Sequence, residues 1–236
     1  MFSSRTAWGK VGIVLLLQLV STACDAAEPG RQAIRFLGDV SDQFQDEIER
    51  AVGTIPDPVW QGLERRGWRV HAAPSVTEAA PWLKGTRPRG WPTGLTWDHS
   101  DAVHLPDSRL LVVGETRRTK VGERVASSRI GGVLRHELGH AFDMLLGGPR
   151  HFRSLTPAFL AVYRQDASRL TPDQRSQLRY YLQERSAGYQ ETFAEAFASV
   201  LGGGSDVTLV EVFREGFPNV IDHVHKSIET YQPRVP

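Results

Sequence analysis

Residues 133–143 read Val-Leu-Arg-His-Glu-Leu-Gly-His-Ala-Phe-Asp and contain the pattern H-E-x-x-H. Two histidines four residues apart project from the same face of a helix, so His136 and His140 can reach one metal ion. Glu137 follows the first histidine, where its carboxylate can reach a water held by the metal and act as a general base. The pattern therefore predicts a zinc site that activates water.

The flanks of this pattern predict one continuous helix. Ser127 or Ser128 is expected to cap its start, and Gly147-Gly148 is expected to end it. A solvated helix rich in His and Glu would carry the same pattern, but it would not need apolar residues at helical spacing. Those residues are present and indicate a side that packs on a core: Ile130, Val133, Leu134, Leu138, Ala141, Phe142 and Leu145.

A second predicted helix, residues 189–198, carries two glutamates on one face. Glu191 and Glu195 are four residues apart. A catalytic zinc commonly takes three protein ligands and keeps a fourth position for water, so we assign Glu191 as the third ligand of a single Zn²⁺. Glu195, one turn later, suits a carboxylate that orients a ligating histidine. The two glutamates can also exchange these roles, or form only a solvated acidic stripe.

Other sources of the third ligand fit this sequence less well. The longer pattern H-E-x-x-H-x-x-G-x-x-H requires Gly and His where this chain has Asp143 and Leu146. His151 lies beyond residues 147–149, which read Gly-Gly-Pro, and is therefore off the helix. We predict that Asp143, like Glu195, does not bind the metal but helps to orient the residues that do.

Both helices resemble segments of a known family. Residues 136–143 read HELGHAFD, and residues 191–197 read ETFAEAF. Together they resemble the catalytic-domain family of anthrax lethal factor, which includes the secreted Pro-Pro endopeptidases. The resemblance is strong over residues 130–145 and 189–199, weaker towards the C-terminus, and faint before residue 105.

This resemblance implies a zinc endopeptidase with a zincin-like fold. It implies that His136, His140 and Glu191 bind the metal and that Glu137 is the base. The expected fold class is α+β, with a small sheet beside a helical half and the metal between the H-E-x-x-H helix and the glutamate helix. The partner is then a peptide or protein substrate.

The resemblance also implies a tyrosine that stabilises the oxyanion, seven residues before the glutamate ligand. Glu184 occupies that position in this chain. Tyr180 and Tyr181 lie three or four residues earlier, so a short insertion would bring one of them to the site. We predict that one of the two is the donor. Tyr189 is nearer in sequence but is expected to turn away with its helix.

Three strands are predicted, over residues 33–37, 68–72 and 109–115. The last precedes the H-E-x-x-H helix and, as an edge strand, could pair with an extended substrate peptide; an ordinary core strand would carry the same residues. Residues 84–108 are rich in Gly, Pro, Trp and Asp and are predicted to form a long loop. His99 and His104 fall in this loop with Asp98 and Asp101. These side chains are expected to be solvated, and a second metal site is the alternative. Further helices are predicted after the H-E-x-x-H helix, including one over residues 172–183.

The first 27 residues have the layout of a signal peptide for export. Arg5 and Lys10 form a basic start, residues 11–20 are an apolar run, and residues 21–27 are mostly small. The run is short for a membrane span, although an uncleaved anchor is the alternative. The domain that follows, residues 28–236, is predicted to be exported.

Cys24 is the only cysteine in the chain and lies at the end of this signal. It follows Thr22-Ala23 and partly resembles a lipoprotein box, whose cysteine receives a lipid, although Ser21 stands where that box usually has Leu. A lipid on Cys24 would be the one expected link to a membrane. The exported domain has no disulfide and must be stabilised by its core, for which about 210 residues suffice.

The charges are nearly balanced, with 28 Lys and Arg against 27 Asp and Glu. No basic stripe with interleaved aromatic residues is present, which argues against a nucleic-acid partner. The rival to an enzyme is a non-catalytic exported binding domain that keeps zinc as a structural ion. A structural site is normally closed by a fourth ligand, commonly cysteine, and none follows Cys24. The presence of Glu137 also favours catalysis.

Overall fold

The computed structural model describes residues 33–88, 91–127, 129–148 and 151–233. The predicted signal peptide, with Cys24, lies outside these residues. Within the described ranges, no helix has the length and apolar character needed to cross a membrane.

The fold is α+β, as predicted from the sequence. The described strands are β1 (Ile34–Phe36), β2 (Arg69–Ala73), β3 (Ala102–Leu105), β4 (Leu110–Gly114), β5 (Thr116–Arg118) and β6 (Arg124–Ala126). The main sheet has the strand order β1-β2-β4-β3, in which β1, β2 and β4 are parallel and β3 is antiparallel to β4. The two short strands β5 and β6 form a separate hairpin.

The described helices lie between and after these strands, and the longest of them carries the H-E-x-x-H pattern. They are α1 (Asp42–Gly53), α2 (Asp57–Arg65), α3 (Val76–Ala79), α4 (Ile130–Gly147), α5 (Pro157–Arg169), α6 (Pro172–Gln177), α7 (Ser186–Val200), α8 (Val210–Gly216) and α9 (Pro218–Glu229). The predicted helix over residues 172–183 therefore ends early, at Gln177.

Helix α4 begins without the predicted serine cap. The hydroxyl of Ser127 donates to Asp101 instead, and Ser128 lies outside the described residues. The carboxylate of Glu47, on α1, accepts a hydrogen bond from the amide of Gly131 at 3.1 Å. A residue distant in sequence thus accepts the hydrogen bond of a free amide at the start of the helix, where a neighbouring serine was predicted to do so. The helix ends at Gly147, and Gly148 follows with a positive φ of 94°.

The prediction of a structureless loop over residues 84–108 is wrong at its end, because β3 lies there. This strand occupies the edge of the sheet beside α4, a position predicted as one option for β4. All five residues of β4 are buried between β2 and β3. Its continuous apolar sequence is typical of a strand covered on both faces.

Helix α4 lies between the sheet and the helical half, and it packs closely against α7. A Cβ atom on Gly139 would lie only 2.7 Å from the Cα atom of Ala194, so the glycine allows the two backbones to approach. In the same interface between α4 and α7, the ring of Phe142 packs on Phe193 and Phe197, at centroid distances of 6.4 and 5.2 Å. This packing brings the two sequence motifs onto one site.

Candidate active site

Three side chains from α4 and α7 converge at one point. The Nε2 atom of His136 lies 3.1 Å from Oε2 of Glu191, and the Nε2 atom of His140 lies 3.5 Å from the same oxygen. One donor atom of each of the three residues lies within 4.8 Å of the other two. The histidine rings are 4.9 Å apart and nearly perpendicular, at 83°.

These distances fit a zinc ion. Zinc bonds of about 2.0–2.2 Å in a tetrahedron place neighbouring ligand atoms roughly 3.3–3.6 Å apart. The two separations to Glu191, 3.1 and 3.5 Å, are close to that value. Two imidazole nitrogens and one carboxylate oxygen form a common catalytic donor set that leaves a fourth position for water.

Glu195 lies behind the cluster and is fully buried, with 0% exposure. Its Oε2 atom is 2.8 Å from Nδ1 of His136, the ring nitrogen opposite the one that faces Glu191. The amide and hydroxyl of Ser205 also donate to this carboxylate. A Cβ atom on Gly204 would lie 1.9 Å from Oε1 of Glu195, so only glycine lets the loop pass this close. The two glutamates thus contact opposite sides of one imidazole.

Glu137 points away from this buried side and lines a cleft of about 400 Å³ together with His136 and Tyr180. Burial raises the pKa of the Glu137 carboxyl group, while the nearby histidines oppose that shift. A carboxyl group with a raised pKa is better matched to taking up a proton near neutral pH.

The two candidate tyrosines have different surroundings. Tyr180 is 48% exposed, yet its hydroxyl is near Glu191 and Glu137; burial of the hydroxyl and the Glu191 carboxylate raise the pKa of Tyr180. Tyr181 is 2% exposed, and its ring packs against Phe213 at a centroid distance of 4.9 Å. Since α6 ends at Gln177, the two tyrosines lie in turns after it and not on a helix.

Tyr189 does not face the cluster. Its ring packs edge-on against Tyr163, with centroids 4.8 Å apart. Of the three tyrosines considered from the sequence, Tyr180 and Tyr181 both line the cleft, and the hydroxyl of Tyr180 is the one that lies beside Glu191 of the cluster. Its role as a donor to substrate stays a prediction.

The cleft also contains a charged network that the sequence did not predict. Asp101 is buried and bonds to Arg117 at 3.0 Å, Arg129 at 3.1 Å and the hydroxyl of Ser127 at 2.7 Å. These residues come from three segments of the chain, at residues 101, 117 and 127–129, and no sequence motif links them. The network holds the two arginines in the cleft wall. The expectation that Asp101 is solvated in a loop is therefore wrong.

The sequence matches the family model for "Anthrax toxin lethal factor, N- and C-terminal domain" over residues 38–203. The chain belongs to this lethal factor family. The matched range covers well over half of the chain and includes α4 and α7. No curated protein matches the sequence.

Among solved structures, this lethal factor family member is similar to the Pro-Pro endopeptidase PPEP-2 from Paenibacillus alvei. The TM-score is 0.58 and the sequence identity 24%, and the alignment covers 83% of this chain and 97% of the other. The similarity supports the fold assigned here.

Asp143 takes a different place from the one predicted for it. It is fully buried, and its carboxylate accepts hydrogen bonds from the amide of Ser154 at 2.7 Å and its hydroxyl at 2.6 Å. Asp143 therefore ties α4 of this lethal factor family member to the turn Arg153–Leu155. Asp143 was predicted to support the metal ligands because it shares a helix with them. Its side chain instead bonds to Ser154, in a segment that packs against α4.

Asp143→Asn is expected to change how stability depends on pH. Burial raises the pKa of Asp143 from its ordinary value near 3.8 to about 6, against hydrogen bonds from Ser154. Between those values this carboxyl group is ionised in the unfolded chain and protonated in the folded protein, so its contribution to the stability of wild type falls as the pH rises from 4 to 7. Asparagine does not titrate, so the variant lacks this loss. Its free energy of unfolding should rise by about 2–3 kcal/mol relative to that of wild type between pH 4 and pH 7.

Urea unfolding of both proteins, with a metal chelator present, measures this difference at several pH values. All other titrating groups are common to both proteins and largely cancel. A difference in the free energy of unfolding that stays constant from pH 4 to pH 7 would contradict the prediction.

Proposed function

We propose that this protein is an exported zinc-dependent endopeptidase. The observation that carries the proposal is the convergence of His136, His140 and Glu191 at one point, beside a cleft that His136 and Glu137 both line. Membership of the lethal factor family and similarity to a protein named as an endopeptidase support it. Export rests on the signal layout of residues 1–27.

His136, His140 and Glu191 would hold one zinc ion. When bound, zinc supplies Lewis acidity that makes water a better nucleophile and polarises the scissile carbonyl. Glu137 takes the proton of the attacking water and passes it to the departing amine nitrogen. The hydroxyl of Tyr180 donates a hydrogen bond to the carbonyl oxygen as that oxygen gains charge.

The substrate would bind as an extended peptide along β3, the edge strand of the sheet. Ala102, the first residue of β3, lines the cleft together with Glu137. An edge strand has unpaired backbone groups that can bond to a peptide main chain, and this suits a substrate in extended form. Side-chain preference then depends on the cleft wall, which includes Trp91 and the Asp101 network.

A peptidase assay on the chain without residues 1–27 tests the proposal. We expect cleavage of members of a peptide library, with Pro-Pro sequences among them, and loss of cleavage on adding a chelator. Restoration by zinc would link the activity to the metal. Stoichiometric zinc with no cleavage of any library member would instead favour the non-catalytic binding domain. Mass analysis of the exported protein shows whether Cys24 carries a lipid.

Tyr180→Phe is expected to reduce kcat by about a hundred- to a thousand-fold, the usual cost of one oxyanion donor. Because the donor acts on charge that appears in the transition state, KM should change much less. Zinc content should be unchanged. Tyr181→Phe is the matched control, since Tyr181 is packed against Phe213, and it should keep kcat within a few fold.

Steady-state kinetics of the two variants decide between the tyrosines. Near-full kcat in Tyr180→Phe would remove it as the donor. A large loss in Tyr181→Phe alone would transfer the role to its neighbour.

A further inference from the structure

Three aromatic rings form a stack that ends at the candidate metal site. The ring of His104 lies 4.9 Å from that of Trp68, with an interplanar angle of 18°. It also lies 5.5 Å from the ring of His140, at an angle of 30°. Trp68 is buried at 5% exposure and belongs to the main core, so the far end of the stack is fixed.

His104 belongs to β3, the edge strand next to α4. Its Nε2 atom is buried and has no hydrogen-bond partner among the described residues. Buried polar atoms normally have a hydrogen-bond partner, so this nitrogen adds no stabilising bond to the fold. The stabilising contacts of the His104 side chain are therefore those of its ring. The donor atoms that converge in the three-residue cluster do not include those of His104.

The two candidate histidine ligands are held in different ways. His136 is fixed at Nδ1 by the buried carboxylate of Glu195. Within the described part of the chain, His140 bonds through Nε2 to Glu191, and no carboxylate bonds its Nδ1 atom. A metal ligand needs a fixed ring orientation, which an outer hydrogen bond usually provides. For the His140 ring, the described contact outside the cluster is the stack with His104.

We propose that His104, backed by Trp68, positions the His140 imidazole for metal binding by stacking on its ring. The inference deepens the proposed zinc function and rests on it. His104 is a positioning residue here: the face of its ring contacts His140, and its ring nitrogens are not needed for this role. An offset stack of this kind holds a ring plane while leaving both ring nitrogens free.

The test compares three variants with wild type. His104→Leu removes the aromatic ring and keeps an apolar side chain of similar bulk. His104→Phe keeps a ring that can stack and removes the nitrogens. His71→Leu is the matched control, because His71 also has a buried, unpartnered Nε2 but lies on β2 and pairs in register with Val112. Val112 belongs to the smaller core cluster on the face of the sheet away from α4.

The measured quantities are zinc affinity by competition with a chelator, the visible spectrum of the cobalt-substituted protein, and the unfolding temperature without metal. We expect His104→Leu to bind zinc about tenfold more weakly, at the low end of losses for outer residues of metal sites. Its cobalt spectrum should shift, since the His140 ring is no longer fixed. His104→Phe should stay within about twofold of wild type in affinity and keep the wild-type spectrum.

Three results would overturn the proposal. Unchanged zinc affinity and cobalt spectrum in His104→Leu would show that the ring is not needed. An equal loss in His104→Phe would show that the nitrogens matter. An equal loss in His71→Leu, with matching falls in unfolding temperature, would show a general effect of the sheet on stability.

Zinc binding is measured without peptide, so the two proposals can fail separately. If wild type cleaves peptides and His104→Leu keeps its zinc affinity, the stack fails and the endopeptidase assignment survives. If wild type binds zinc and loses affinity with His104→Leu but cleaves nothing, the stack stands and the assignment fails.

Discussion

Glu137→Gln is expected to lower peptide hydrolysis by at least a hundred-fold and up to about ten-thousand-fold, the range for removal of a general base. The amide of glutamine cannot accept the proton of the attacking water. Glu137 does not belong to the cluster of His136, His140 and Glu191, so the variant should retain zinc in the same amount as wild type. Hydrolysis rates and metal content, measured on the same preparation, check both halves of this result.

The choice of glutamine makes the test specific. It has nearly the same shape as glutamate, so it should fit the same place in the cleft without disturbing α4. Retention of more than a few per cent of wild-type activity would show that another group takes the proton. Loss of zinc together with activity would show that Glu137 supports the metal and would remove the basis for calling it the base.

Glu191→Ala is expected to lose zinc and, with it, all hydrolysis, because it removes one of three ligands. Glu195→Ala should weaken zinc binding by roughly ten- to a hundred-fold, the usual cost of losing a carboxylate that orients a histidine ligand. The structure supports this order. Glu191 reaches the Nε2 atoms of both histidines, whereas Glu195 contacts only the Nδ1 atom of His136.

Metal content by mass spectrometry and zinc competition with a chelator measure the two effects. Glu195→Gln is a useful control, since its amide oxygen can still accept a hydrogen bond from His136 and should preserve more of the affinity than Ala. Equal loss of zinc in the two Ala variants, or a larger loss in Glu195→Ala, would contradict the assignment. The two glutamates would then have exchanged roles.

The helices that carry the candidate site were predicted from the sequence alone because their signals are local. Apolar residues at helical spacing predict α4 and α7, and both are present with bounds close to those expected. The spacing of His136 and His140 places both rings on one face, whatever the rest of the chain does. The match to the lethal factor family, predicted from the same residues, is also confirmed.

Other features needed the assembled chain. β3 has only four residues and follows a segment rich in Gly and Pro, so its alternation is too short to stand out. Asp101 gathers partners from segments that are distant in sequence. Asp143 shares a helix with the histidines, but its hydrogen bonds go to Ser154. In each case the partner is set by packing between elements, which residue spacing does not encode.

The α+β class, the two helices and the chemical types available for a metal site could all be predicted from the sequence. The contacts of the folded chain were needed to show that Glu195 contacts the far side of His136, that Tyr180 faces the cluster while Tyr181 is buried, and that His104 stacks on His140. The physical reason is the range of the forces involved. Helix periodicity and caps act within a few residues, whereas the orientation of a ring or a hydroxyl depends on contacts that form when distant segments pack together.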